Sequence, residues 1–130
     1  MMMLDTHVWV WWLTRNPNLE QPYADVMERG LAEGLAVSVI SCWEIGMLVA
    51  KGRLQLSKPV REWVDEALSP PEMHLLPLTP EIAVASTMLP GDVRGDPADR
   101  MIIATARVYD LPLVTADREI RAYPHVKVLP

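Results

Sequence analysis

Short, largely apolar runs alternate along this chain with longer segments of helical spacing, and this alternation limits the folds open to it. The runs are Met2 to Asp5, Leu35 to Val39, Leu75 to Leu78, Leu113 to Thr115 and Val126 to Leu129. Most show no polar and apolar alternation, so they suit strands covered on both faces rather than a sheet with one wet side. Between them, helices are expected over Val8 to Leu13, Glu20 to Glu33, Cys42 to Ala50, Ser57 to Leu68 with Ser57 as cap, Pro80 to Leu89, Pro97 to Tyr109 and Arg118 to Ala122. The twelve prolines fall mainly between these segments. The expected fold class is α/β: a central, mostly parallel, short-stranded sheet with helices on both faces, joined by right-handed crossovers. With 130 residues, half of them hydrophobic, one domain spanning 1–130 with one core is the natural size.

In open parallel sheets ligands bind beyond the carboxyl ends of the strands, so acidic residues at the strand-to-helix turns carry the information. Asp5 ends the first run in LDTHVW. Glu44 follows the second in VSVISCWEI, Asp96 and Asp99 open a helix in GDPADRMIIATA, and Asp117 follows LVTA. Several have a structural explanation. Ser41 and Glu44 have capping-box spacing, Asp96 suits an N-cap before Pro97, Asp99 sits in a first helical turn, and Asp117 can cap Arg118 to Ala122. Asp5 alone has no evident structural duty. Gathered on one rim, Asp5, Glu44, Asp99 and Asp117 would repel one another and raise one another's pKa values unless a cation offsets them.

An all-oxygen donor set favours Mg²⁺ or Mn²⁺ over zinc. The single cysteine, Cys42, excludes an intramolecular disulfide and reads as a small buried hydrophobe, while His7, His74 and His125 are too scattered for a ligand cluster. The tryptophans, Trp9, Trp11, Trp12, Trp43 and Trp63, read as core and dimer surface rather than a stacking platform. Arg94, Arg100, Arg118, Lys51 and Arg53 are candidates to hold phosphates, Arg100 and Arg118 foremost. A net charge of −5 argues against coating nucleic acid by bulk electrostatics, but not against a local basic patch. Neither a signal peptide nor a membrane span is read, and a cytoplasmic setting is expected.

The series LDTHVWVWW, SVISCWEIGMLVAKGRL, DPADRMIIATA and LVTADREI resembles the PIN-domain family, in particular its VapC-type toxins, over nearly the whole chain. The resemblance implies a dimeric, metal-dependent endoribonuclease acting on RNA and silenced by a cognate antitoxin. It assigns Asp5, Glu44, Asp99 and Asp117 to Mg²⁺ or Mn²⁺, with Thr115 as a supporting hydroxyl; Thr6 and Ser41, beside Asp5 and Glu44, are further candidates for support. It also implies an antitoxin segment laid in an apolar groove walled by Trp9, Trp12, Met47 and Leu48, with a basic side chain among the acids. A haloacid-dehalogenase-like phosphatase needs a second acid two residues after the first, where this chain has His7. A catalytically idle PIN-like module that binds RNA or protein is the remaining alternative, and metal-dependent cleavage separates the two.

Overall fold

A computed structural model describes residues 1–91, 93 and 95–130. Five parallel strands form one sheet in the order β3-β2-β1-β4-β5. The strands are β1 (Met2–Leu4), β2 (Leu35–Ser38), β3 (Met73–Leu76), β4 (Leu113–Val114) and β5 (Val128–Leu129). The helices are α1 (Thr6–Leu13), α2 (Gln21–Glu33), α3 (Val39–Ala50), α4 (Val60–Ala67), α5 (Pro80–Ala85), α6 (Pro97–Val108) and α7 (Arg118–Ala122). The chain builds outward from β1 through β2 to β3, then returns to lay β4 on the other side of β1. The order therefore reverses between β1 and β4, where an open α/β sheet leaves its crevice.

Side-chain alternation along the strands divides the interior in two. Met2, Leu4, Leu35, Val37 and Val114 pack with Val8, Trp9, Met27 and Ile45 on one face. Met3, Ala36 and Leu113 pack with Ile82, Ile102, Ile103 and Ile120 on the other. Both faces are dry, which explains why the central strands carry apolar residues at every position.

Element bounds shift by one to four residues at many ends, and four of these shifts have a clear local cause. β3 ends at Leu76 rather than Leu78, because Pro77 has no amide to extend the ladder on β2. α3 begins at Val39, with the Ser38 hydroxyl accepting from the Ile40 amide at 3.1 Å, which leaves Ser41 inside the helix and removes the capping box. α4 begins after Pro59 without a side-chain cap, so Ser57 has no capping role. α5 stops at Ala85, where Ser86 and Thr87 turn their hydroxyls onto the carbonyls of Ala83 and Val84.

Gly30 sets the approach of α2 to the sheet. A Cβ there would lie 2.2 Å from Leu35 Cδ2 and 3.3 Å from Met2 Sδ, and Leu35 is fully buried. Gly30→Val should destabilise by about 1–3 kcal/mol through overpacking, read as a fall of several degrees in the melting temperature.

Candidate active site

Asp5 is 3% exposed, and its burial is compensated oxygen by oxygen. Oδ1 accepts the Thr6 amide at 2.9 Å, making Asp5 the N-cap of α1. Oδ2 accepts the Thr115 hydroxyl at 2.7 Å. Asp5 thus has a structural duty that the sequence did not suggest. The Thr115 oxygen in turn accepts the Asp117 amide at 3.1 Å, so one hydroxyl ties the end of β1 to the turn after β4. That turn is pinned again by His7, whose Nε2 accepts the Ala116 amide at 3.0 Å; the ring proton therefore sits on Nδ1, 3.5 Å from Asp5 Oδ2. The Thr115 carbonyl receives the Tyr23 hydroxyl at 3.3 Å and the Arg121 guanidinium at 2.9 Å. His7, Tyr23 and Arg121 were not singled out in sequence as support for the site, because each reaches a backbone atom about 6 to 109 residues away.

Glu44 is held differently. The Thr6 hydroxyl donates to Glu44 Oε1 at 2.6 Å and lies 2.8 Å from Ser41 Oγ. Since the Thr6 proton is spent on the carboxylate, Ser41 is the donor of that second bond. Asp117 caps α7, with Oδ1 accepting the Glu119 and Ile120 amides at 2.8 and 3.1 Å. Asp96 caps α6 by accepting the Asp99 amide at 2.8 Å. Asp99 packs so closely on the preceding loop that a Cβ on Gly95 would meet its Cβ at 2.8 Å.

α3 packs on α6, which brings Glu44 toward Asp99, and Asp5, Glu44, Asp99 and Asp117 line one cleft of about 330 Å³. Burial pushes the Asp99 carboxyl up to about 7, with Asp96, Asp5, Glu44 and Asp117 adding repulsion. Burial also raises Glu44, against the Thr6 hydrogen bond, with Asp5 and Asp96 raising it further. Among the described residues no three His, Cys, Asp or Glu side chains are gathered tightly enough to enclose an ion directly. A cation that keeps several waters and takes one or two carboxylates directly fits this spacing and this all-oxygen set.

The cations fall less neatly. Arg100 donates to the carbonyls of Ser86 and Val93, both at 2.9 Å, so its guanidinium anchors the fold and corrects its expected role as a phosphate contact. Arg118 is exposed beside Asp117, Lys51 is exposed beyond α3, and Arg53 lines the cleft. Arg94 lies outside the described residues. Trp9 is wholly buried and cannot wall a groove, whereas Trp43 is 58% exposed. No helix among the described residues is long and apolar enough to cross a membrane.

These features define a doubly covered parallel α/β domain with an acidic crevice at its topological switch point. The PIN domain family model matches residues 2–126, and the chain belongs to the PIN-domain family. It is 36% identical over 124 residues to Ribonuclease VapC22 of Mycobacterium tuberculosis, covering 95% of this chain and 92% of that protein. Its fold matches VapBC2 from Rickettsia felis bound to a promoter DNA fragment, with a TM-score of 0.72, 19% identity, and 98% and 96% of the two chains covered. FitAcB from Neisseria gonorrhoeae gives a TM-score of 0.72 at 23% identity, covering 100% and 97%.

Two outcomes follow from this geometry. Asp99 binds its proton more tightly folded than unfolded, so in EDTA the melting temperature should fall as pH rises from about 4 to about 7, and Asp99→Asn should flatten that fall. Thr115→Val leaves a buried Asp5 oxygen and the Asp117 amide without their partner, and chemical denaturation should register a loss of about 1–3 kcal/mol.

Proposed function

We propose that this chain is a divalent-metal-dependent endoribonuclease that hydrolyses RNA phosphodiester bonds, and that it is the toxin of a toxin–antitoxin pair. The observation that carries the reading is the convergence of Asp5, Glu44, Asp99 and Asp117 in one cleft, on a chain similar over most of its length to a ribonuclease. A bound Mg²⁺ or Mn²⁺ supplies Lewis acidity toward phosphate and water and offsets the carboxylate charge. Asp5 and Asp117 are the direct ligands in this reading. Asp5 is fixed in direction by the Thr6 amide and the Thr115 hydroxyl, and Asp117 spends Oδ1 on its cap. Glu44, oriented by Thr6 and Ser41, and Asp99, at the head of α6, complete the ring and orient water for attack on phosphorus. Arg118, exposed and next to Asp117 in sequence, is a candidate phosphate contact outside the cleft lining.

The partners follow from the same reading. Val84, Met88 and Tyr109, 58%, 73% and 42% exposed on the α5–α6 side, supply an apolar face for a second copy in a homodimer. A cognate antitoxin meets the site's need for positive charge with a basic side chain, and Trp12, Met47 and Leu48 remain the apolar walls for its segment once Trp9 is set aside. A cytoplasmic setting agrees with one unpaired cysteine.

Purified protein should cut a fluorogenic oligoribonucleotide with Mn²⁺ or Mg²⁺ and stop in EDTA. Asp99→Asn and Asp117→Asn should lower turnover by about two orders of magnitude or more. Asp96→Ala should keep most turnover and instead lose the roughly 0.5–2 kcal/mol of an N-cap, seen in the melt. Cutting that persists in EDTA, or unchanged in Asp117→Asn, would remove the proposal.

A further inference from the structure

The cleft that holds the acids has a second, chemically different end. Beyond Asp5 and Glu44 its wall is formed by Trp11, Thr14, Asn16 and Arg53, contributed by α1 with the turn after it and by the loop after α3. We propose that Trp11 and Arg53 form a nucleotide subsite, in which Arg53 holds a phosphate next to the scissile one and the Trp11 indole stacks the adjoining base. This inference rests on the ribonuclease reading and names how that site grips its substrate.

Three observations carry it. The first is which cations are already engaged. Arg100 donates to Ser86 and Val93, Arg107 to His125, and Arg121 to Thr115, Leu129 and Pro130, all through backbone carbonyls. Lys58, Arg61 and Lys127 are paired with Glu66, Asp65 and Asp110. Arg53 lines the acidic cleft yet its guanidinium makes no hydrogen bond or ion pair among the described residues, its amide alone donating to the Leu48 carbonyl, and no other Lys or Arg among them lines that cleft. The second is the state of Trp11. It is half-buried, unlike the fully buried Trp9, and its ring is fixed edge-on against His7 at 4.9 Å and 62°. His7 lies one helical turn before Trp11, so the side chain that pins the Ala116 turn also sets the ring. The third is charge. A chain of net −5 with an acidic centre offers a polyanion nothing to hold on the flanking phosphates unless a cation stands beside that centre. A guanidinium with a fixed aromatic face is the combination that grips unpaired nucleotides, one by charge and one by stacking.

The two contributions separate in a salt titration. Steady-state cleavage of a fluorogenic single-stranded 12-nucleotide RNA with Mn²⁺ would be followed across a KCl series for wild type, Arg53→Gln, Arg53→Lys, Trp11→Ala and Trp11→Phe. Arg53→Gln should raise KM about tenfold with kcat within about twofold of wild type, and flatten the slope of log kcat/KM against log salt by about 0.7, the value for one contact to a single strand. Arg53→Lys should keep the slope. Trp11→Ala should raise KM by a similar factor with the slope unchanged, and Trp11→Phe should recover most of the loss, which excludes a mere folding defect. Wild-type KM and slope in Arg53→Gln, or a loss confined to kcat, would overturn the subsite while leaving the ribonuclease reading standing. A wild type that cuts no RNA would overturn both.

Discussion

The Thr115 hydroxyl donates its proton to Asp5 and accepts the Asp117 amide, and the site's geometry depends on that pair of bonds. It works because β1 and β4 are neighbours despite their distance in sequence, with Met3 in register with Leu113 and Leu4 with Val114. A hydroxyl one residue past β4 then meets the carboxylate one residue past β1. Asp5, nearly inaccessible to water, has a donor on each oxygen, one from its own helix and one from the neighbouring strand's end. The position of the acid and the closure of the sheet are thus the same constraint.

The acids divide by how helix geometry treats them. Asp5, Asp96 and Asp117 each cap a helix and receive backbone amides, at α1, α6 and α7. Glu44 lies inside α3 and is held by a hydroxyl relay, and Asp99 has its amide capped but its carboxylate pressed among other acids. These last two are the ones whose carboxyls are pushed up. Burial disfavours the charged form of both, and the neighbouring carboxylates add to it. The ring thus contains well-compensated acids that fix position and poorly compensated ones that respond to whatever cation arrives.

How much of this was legible in the sequence follows from the range of each interaction. Parallel strands buried on both faces were readable from short apolar runs, and the Asp96 and Asp117 caps from their local spacing, because these depend on neighbours a few residues away. α3 starts three residues before the position its sequence suggests, because Ser38 and Ser41 are equally good caps locally and Ser41 is instead drawn to Thr6 across the domain. Arg100 looked like a free cation because its acceptors are backbone carbonyls, which leave no residue-type signal. Asp5 stands out in an apolar run, but its partner is a hydroxyl 110 positions away, beyond any local pattern.

The same asymmetry governs what the cleft can admit. Four carboxylates attract a divalent cation and repel the RNA backbone, so the acidic end alone cannot both position the reacting phosphate and draw in the strand that carries it. The proposed subsite separates these tasks along one cleft: the acids would take the cation, while Arg53 and Trp11, a few residues from the ends of α3 and α1, line the cleft away from them. In that proposal the Arg53 end adds grip on a single strand, which moves KM, while the chemical step stays with the acids.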